Sequence, residues 1–222
     1  KNINFRHKHL LTKTKILNTS LNNSHELREA IHMIKPNIII NLAALPLAGL
    51  AVKKSETAYK SILSSTFNLL EVIKDTKFVD KYIHISSSMV YGDFKENPIK
   101  EISLTEPIEI YGSLKLSSEH LVKSYSKIYN INYNIIRPTA VYGPSDNNRR
   151  ILFKMIKSAI DRKKNVTLFN PKNNYLDFTF VEDTAEGIAL SALSKIVNET
   201  FNISFGSSTS LYDAAAIVKK YY

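Results

Sequence analysis

Apolar residues along this chain alternate between short continuous runs and longer stretches in which they recur every three or four positions. The clearest continuous runs, at residues 37–43, 81–86 and 133–138, are short and contain β-branched residues. Such runs are typical of strands that helices cover on both faces. The periodic stretches predict helices near residues 24–34, 56–74, 111–129, 149–162, 183–195 and 211–221. Further short strands are predicted near residues 15–18, 165–169, 177–181 and 200–203.

The repeated alternation of strand and helix predicts an α/β fold. Right-handed crossovers place helices on both faces of a sheet, so this order favours a parallel, doubly wound, Rossmann-like sheet. Ser24 is the candidate N-cap of the first helix, and Pro36 ends that helix. Ligands of such sheets bind at the carboxyl ends of the strands, which directs attention to the residues that follow each strand.

Length and charge narrow the class of protein. A chain of 222 residues is long enough for one well-packed domain with a small appendage. The formal charge of +10 attracts anions of any kind and does not choose among nucleic acid, anionic lipid and phosphorylated metabolites. Because the basic clusters are short and lack interleaved aromatic residues, we expect no nucleic-acid partner.

The chain contains no cysteine, which excludes disulfide bonds, a thiolate nucleophile and a cysteine metal site. This composition fits a reducing cytoplasm, where we expect the protein to act. The longest apolar stretch, residues 38–52, contains Asn41, Pro46 and Gly49 and is shorter than the roughly 20 residues of a membrane helix. The first residues lack the long apolar core of a signal peptide, so no membrane association is expected.

A tyrosine and a lysine four positions apart provide the candidate chemistry. Tyr111 and Lys115 share one face of the predicted helix at 111–129. A neighbouring ammonium favours phenolate over phenol, and an oxidised nicotinamide would do the same, so Tyr111 can act as a base near neutral pH. Ser87, directly after a predicted strand, can hold a substrate hydroxyl. Tyr91 and Lys95 have the same spacing, but they lie in a predicted loop.

Five segments extend this pattern over nearly the whole chain from about residue 15. They are NLAA at 41–44, SSSMVYG at 86–92, YGSLK at 111–115, RPTAVYGP at 137–144 and LDFTFVEDTAEGI at 176–188. In this order and spacing the set resembles the extended short-chain dehydrogenases. It is most similar to the sugar-nucleotide epimerases and dehydratases, in particular those that act on UDP-glucose or UDP-glucuronate.

The resemblance implies NAD as cofactor, with NADP not excluded, and a nucleotide sugar as substrate that is epimerised through a transient keto intermediate. It makes Ser87 the residue that orients the substrate, Tyr111 the general base, and Lys115 its partner and a contact of the nicotinamide ribose. Further cofactor contacts are expected at Leu21, Ala43, Ala44, Leu45 and Pro138. Substrate contacts are expected at Ser88, Ala140, Arg149 and Arg150.

The same resemblance implies an organisation in two parts. Residues 1–140 correspond to a partial NAD-binding Rossmann-like domain. Residues 141–222 correspond to a small, partial substrate-binding region that returns a strand and a helix to the core. Because family members pair through helices that match residues 57–74 and 111–129, we expect a homodimer.

The chain departs from the family pattern at its beginning. Its six glycines, at positions 49, 92, 112, 143, 187 and 206, include no set with the GxxGxxG spacing of the family's phosphate-binding turn. A strand, that turn and a helix are expected to lie before Lys1, and the printed chain is expected to bind NAD poorly. A non-catalytic module, either a truncated relic or a sensing protein, is the alternative.

The chain also differs from the family pattern at positions that contact the substrate, and these differences affect which reaction is expected. Many relatives carry Asn and Arg where this chain has Ala140 and Leu176, so an arginine at 149 or 150 is the candidate to hold phosphate oxygens. The dehydratases carry an Asp-Glu pair where this chain has Ser88-Met89, and Met cannot transfer a proton. An epimerase is therefore favoured over a dehydratase, and a reductase or dehydrogenase of the same family stays open. Asp177, Glu182 and Asp183 resemble a metal-binding cluster, but their position at a strand end and a helix start makes Asp183 a candidate N-cap, so no metal site is expected.

Overall fold

The computed structural model describes residues 14–45, 48–144, 146, 150–161 and 165–222. Its central sheet consists of β1 (Ile38–Asn41), β2 (Lys81–Ile85), β3 (Tyr133–Pro138) and β7 (Glu199–Ile203), hydrogen-bonded in the order β1-β2-β3-β7. All three pairings are parallel. The carboxyl ends of these strands therefore meet at one edge, as the strand and helix order predicts.

The α-helices flank this sheet and a smaller C-terminal part. They are α1 (Ser24–Ile34), α2 (Ala48–Lys53), α3 (Ser55–Tyr59), α4 (Ser65–Ile73), α5 (Ile110–Tyr129), α6 (Ile151–Asp161), α7 (Val181–Leu193) and α8 (Leu211–Tyr221). None of the helices in the described part of the chain is long and apolar enough to cross a membrane.

The sheet is buried on both faces because its strands send successive side chains to opposite sides. Tyr82 belongs to the core formed with α1, α4 and α5, whereas its neighbour Ile83 belongs to the core formed with α7. Both side chains are fully buried. This arrangement confirms the doubly wound sheet predicted from the continuous apolar runs.

A smaller part of the fold packs beside the carboxyl edge of the sheet. β4 (Ala140–Tyr142) pairs in parallel with β6 (Phe178–Phe180), and β5 (Tyr175–Leu176) pairs in an antiparallel manner with β8 (Thr209–Ser210). α6 and α8 share a separate apolar core around Met155, Leu211 and Val218. The division of the chain at residue 140 stays a prediction.

Several predicted elements differ from the observed ones. Residues 15–18 and 165–169 form no strand. The N-cap of α1 is Asn23, whose Oδ1 accepts a hydrogen bond from the Glu26 amide at 3.3 Å, so Ser24 is the first helical residue instead. Asp183 lies inside the first turn of α7, which begins after Phe180. Each cap depends on the backbone geometry of one residue, which the spacing of residue types does not specify.

The predicted helix at 56–74 is a composite segment. α3 and α4 are joined by a π-helical turn, Lys60–Ser64, and α2 precedes them. The wider turn places the Ser61 hydroxyl where it accepts from the Leu45 amide at 3.1 Å and donates to the Ala58 carbonyl at 3.2 Å. The turn thus carries a contact with a residue outside the helix, which local periodicity does not reveal.

Lys81 caps the end of α7 from within the sheet. The side chain is only 6% exposed, and its Nζ donates to the carbonyl oxygens of Ser191, Ser194 and Ile196 at 3.2, 2.5 and 3.1 Å. Ser191 lies in the last turn of α7, and Ser194 and Ile196 follow its last residue, so a buried cation there stabilises the helix end.

We expect Lys81→Met to lower the free energy of unfolding by about 1.5–3 kcal/mol, the value of hydrogen bonds to a charged group. Urea unfolding measures the change. Lys123→Met removes an exposed lysine from α5 and should change stability by less than about 0.5 kcal/mol. Equal midpoints for the two variants would show that Lys81 contributes nothing to stability at this position.

Candidate active site

A cavity of about 460 Å³ opens at the carboxyl edge of the sheet, between the ends of β2 and β3, the start of α5 and the region around β4 and α6. Most of the predicted site residues meet there. Those that line the cavity are Ala44, Ser87, Ser88, Tyr111, Lys115, Pro138, Ala140 and Arg150. Their shared position supports one site, although they come from distant parts of the chain.

Ser87 is placed by the end of β2. Its backbone is extended, with φ −164° and ψ 151°, and its Oγ accepts a hydrogen bond from the Met89 amide at 3.2 Å. That bond begins the 3₁₀ turn Ser88–Tyr91. The serine hydroxyl therefore sits where the strand stops and the chain turns away from the sheet.

Tyr111 is brought to the same place by close packing at the start of α5. A Cβ atom on the neighbouring Gly112 would lie 2.4 Å from the Met89 carbonyl oxygen, closer than a side chain can approach. The absence of a side chain at Gly112 lets α5 contact the 3₁₀ turn directly. Tyr111 thus enters the cavity next to the turn that carries Ser88.

Lys115 follows Tyr111 by one helical turn and is 3% exposed. Its Nζ donates to the Ile85 carbonyl oxygen at 2.7 Å and lies 5.9 Å from the centre of the Tyr111 ring. Burial lowers the pKa of Lys115 to about 8, while the negative charge of Glu119 opposes that change. The ammonium therefore stays largely protonated at neutral pH.

The surroundings of Tyr111 favour its protonated phenol form, so less phenolate is available for proton abstraction than its spacing from Lys115 suggests. Burial raises the pKa of Tyr111, and the positive charge of Arg150 opposes this only in part. Among the described residues, Lys115 Nζ donates to the Ile85 carbonyl oxygen, and it lies 5.9 Å from the centre of the Tyr111 ring. A base at this position needs additional positive charge close to the ring.

Arg150 lies at the site. Its Nη1 donates to the Val141 carbonyl oxygen, and its side chain lines the cavity. Arg149 lies outside the described residues, so its predicted contact stays a prediction.

Three of the predicted cofactor contacts lie away from the cavity lining. The Ala43 amide donates to Asn41 Oδ1 at 3.1 Å, and Leu45 packs on the apolar cluster around Ala51. Leu21 packs against the core of the main sheet, and its carbonyl accepts from Asn68 Nδ2 at 3.0 Å. Their part in holding a dinucleotide stays a prediction.

Sequence reasoning missed a buried polar cluster beneath the cavity. Glu119 accepts from Arg137 Nε at 3.0 Å and from Arg137 Nη2 at 2.6 Å, and the Ser86 hydroxyl donates to Glu119 at 2.5 Å. The available signal was the position of Glu119, four residues beyond Lys115 on the same helix face. Sequence reasoning also missed much of the apolar lining, which includes Leu42, Ala48, Val141, Ile151, Leu152 and Phe178.

Known proteins share this sequence and fold. The family model for the NAD dependent epimerase/dehydratase family matches residues 2–204. Protein CapI of Staphylococcus aureus is 29% identical over 170 residues, which cover 76% of this chain and 50% of that protein. The dTDP-D-glucose 4,6-dehydratase of Dictyostelium discoideum is 28% identical over 192 residues, covering 82% and 44%.

A solved structure agrees with these sequence matches. The UDP-glucuronic acid 4-epimerase of Bacillus cereus, crystallised with UDP-glucuronic acid and NAD, aligns with a TM-score of 0.81 and 30% identity. The alignment covers 94% of this chain and 64% of that one. The chain spans about half the length of the curated relatives it matches. These matches confirm the resemblance carried by the five segments, and the chain belongs to the NAD dependent epimerase/dehydratase family.

Proposed function

We propose that this chain contributes the catalytic site of an NAD-dependent enzyme that epimerises a nucleotide sugar through a transient keto intermediate. The observation that carries the proposal is that Ser87, Tyr111 and Lys115 line one cavity at the carboxyl edge of the sheet. Epimerases of UDP-glucuronate are among the similar proteins and support the choice of reaction.

The residues of the cavity fit the nicotinamide end of the cofactor. Ala44 and Pro138 present small side chains in its wall, which leave room for a flat ring, and the buried Lys115 ammonium can bind a ribose hydroxyl. When bound, NAD accepts and returns the hydride and brings a positive charge close to Tyr111, which favours the phenolate.

The chain's own residues handle the proton. Tyr111 as phenolate accepts the proton from the sugar hydroxyl that becomes a carbonyl, and Ser87 holds that oxygen by a hydrogen bond. Lys115 stabilises the phenolate by its charge. After the keto sugar has rotated in the site, Tyr111 returns the proton to the new alkoxide. Because the hydride and the proton are both returned, the substrate and its epimer have the same composition.

Ser88 and Met89 favour epimerisation over loss of water. Both residues line the cavity, where a dehydratase needs a proton donor and a base. The Met89 thioether has no proton to give and is a weak acceptor, and a serine hydroxyl alone is a poor acid. The cavity thus lacks, at these positions, the groups that would remove water from the keto sugar.

The test of the proposal combines cofactor binding with product analysis. Calorimetry should measure NAD binding to this chain and to a version that carries the family's glycine-rich N-terminal segment. The extended protein is then incubated with UDP-glucose, UDP-glucuronate and dTDP-glucose, and the products are identified by NMR and mass. A product of unchanged mass supports epimerisation, and a product lighter by one water would instead show a dehydratase. Failure of both proteins to bind NAD would favour a non-catalytic module.

Arg150 is proposed to bind an anionic group of the substrate, because its guanidinium lies in the cavity and suits phosphate or carboxylate oxygens. We expect Arg150→Met to raise KM about 10–100-fold, since a charged hydrogen bond contributes about 1.5–3 kcal/mol. Steady-state kinetics measures the change. Lys154→Met, which removes an exposed cation one turn further along α6, should leave KM unaltered. An unchanged KM in Arg150→Met would remove Arg150 from the binding site.

We also infer that the protein forms a homodimer through α4 and α5. Phe67, Ile128 and Tyr129 on these helices are 44%, 67% and 40% exposed, and they form an apolar surface that a second copy could cover. Light scattering of the purified protein checks this inference. A monomer at micromolar concentration would contradict it.

A further inference from the structure

A buried ion pair lies directly beneath the proposed catalytic residues. Arg137 on β3 and Glu119 on α5 have side chains that are 3% and 1% exposed. The pair is bidentate, with Nε to Oε1 at 3.0 Å and Nη2 to Oε2 at 2.6 Å. Two charges are removed from water at a cost of several kcal/mol each, so such a pair persists only when its geometry satisfies both partners.

The two residues of this pair are close in sequence to residues that line the cavity. Glu119 follows Lys115 by one turn of α5, and Arg137 immediately precedes Pro138. Ser86, whose hydroxyl donates to Glu119, immediately precedes Ser87. The Glu119 carboxylate therefore connects the helix that carries Tyr111 and Lys115 to the ends of β2 and β3.

The same guanidinium extends the connection to the loop after the 3₁₀ turn. Arg137 Nη1 donates to the Tyr91 hydroxyl at 2.8 Å and to the Glu101 carbonyl at 3.0 Å. The Tyr91 hydroxyl in turn donates to Asn202 Oδ1 on β7 at 2.8 Å. One buried network thus links α5, β2, β3, β7 and the loop.

Lys115 sits among ionisable groups from several elements. They are Tyr111 and Glu119 on its own helix, His84 on β2, and Asp146 and Arg150 in the cavity wall, and Arg137 on β3 is paired with Glu119. Burial, together with the charge of Lys115, lowers the pKa of His84 to about 3, so this imidazole stays neutral. Glu119 is the carboxylate whose charge opposes the effect of burial on the pKa of Lys115.

We propose that Glu119 is a positioning residue that keeps the catalytic lysine protonated and aligned. Its carboxylate charge favours the ammonium form of Lys115, against the effect of burial. It also anchors α5 to Ser86, which holds Lys115 within reach of the Ile85 carbonyl. The inference rests on the proposed function in assigning Lys115 as the partner of Tyr111.

The titration of Lys115 tests this proposal without any turnover. The chain is labelled with ¹³C at the lysine Cε positions, and the Lys115 signal is identified by its loss in Lys115→Arg. Glu119→Gln retains the size of the side chain and removes its charge. Because the Glu119 charge raises the pKa of Lys115, we expect the midpoint to fall from about 8 by about one pH unit. The ammonium would then lose its proton near neutral pH.

A matched substitution on α4 separates this effect from a general response to losing a carboxylate. Glu71 also accepts hydrogen bonds from a lysine and a tyrosine, at 3.0 and 2.6 Å, and it lies away from the cavity. Glu71→Gln should leave the Lys115 midpoint unchanged. An unchanged midpoint in folded Glu119→Gln would overturn the proposal.

A second variant covers the case in which Glu119→Gln does not fold. Glu119→Leu combined with Arg137→Met replaces the pair by apolar side chains, a change that proteins often tolerate. The Lys115 midpoint should again fall if the Glu119 charge supports the ammonium, and a midpoint that stays near 8 would contradict the proposal. Loss of activity in Tyr111→Phe, measured separately, tests the proposed function rather than this inference.

Discussion

Replacing Tyr111 by phenylalanine will lower kcat by about 10²–10⁴-fold, the usual contribution of a positioned acid or base. Phenylalanine retains the ring, which packs in the cluster with Ala58 and Ile62, and removes only the hydroxyl that exchanges the proton. Substrate binding should therefore change little. Steady-state kinetics on the extended protein, with the nucleotide sugar identified in the product assay, measures both parameters.

The control for this variant is a tyrosine at the far end of the same helix. Tyr129 is 40% exposed, and its ring contacts Tyr125 and Lys74 rather than the cavity. Tyr129→Phe should have normal kcat. If Tyr111→Phe retains more than a tenth of the activity while its circular dichroism is native, the assignment of Tyr111 as the base fails.

Replacing Arg137 by methionine will lower the free energy of unfolding by about 3–5 kcal/mol, because the carboxylate of Glu119 is left buried without its counter-charge. Arg137 also provides bonds to Tyr91 and to the Glu101 carbonyl, which the thioether cannot replace. Urea unfolding followed by fluorescence or circular dichroism measures the loss, with the slope of the transition showing that the native state stays compact.

The double variant Glu119→Leu with Arg137→Met is the informative comparison. Since both charges are then absent, it should recover most of the stability that Arg137→Met loses. A double variant as unstable as the single one would mean that packing and the bonds to the loop, rather than the unpaired charge, account for the loss. A single variant of wild-type stability would show that Glu119 is solvated when Arg137 is absent.

Burial shifts the pKa values of both Tyr111 and Lys115 in directions that disfavour proton abstraction by Tyr111. Burial raises the pKa of Tyr111, which disfavours its function as a base, and lowers the pKa of Lys115 to about 8, which weakens the charge that would help. Positive charge from Arg150 and negative charge from Glu119 act against these two changes. A cationic nicotinamide in the proposed site would complete the compensation, which makes cofactor binding and base strength interdependent.

Much of the main sheet could be predicted from local patterns. The runs at 81–86 and 133–138 became β2 and β3, and the periodic segment at 111–129 became α5. These elements bury the side chains that the pattern marked as apolar, so local propensity and tertiary packing favour the same structure. Ser87, Tyr111 and Lys115 could be chosen because strand ends and helix faces follow from the same patterns.

Local patterns did not predict the shortest strands or the helix caps. β4, β5 and β8 contain two or three residues each, too few for an alternation to be recognised, and they exist because a partner strand lies beside them. The π turn at Lys60–Ser64 contains Ser61, which accepts a hydrogen bond from the Leu45 amide outside the helix. Contacts between residues far apart in the chain determine these features.

Residue types and their spacing in this chain were enough to predict the α/β class and the parallel sheet, and to select Ser87, Tyr111 and Lys115 as the candidates that line one cavity. The packed structure placed Arg150 in the cavity wall and joined Glu119, Arg137 and Ser86 in one buried cluster. The physical reason is that local patterns and electrostatic interactions depend on residues at different separations along the chain. Periodicity reports which face of an element is buried, whereas the strength of a charge depends on which other charges and how much protein surround it, and folding alone brings those groups together.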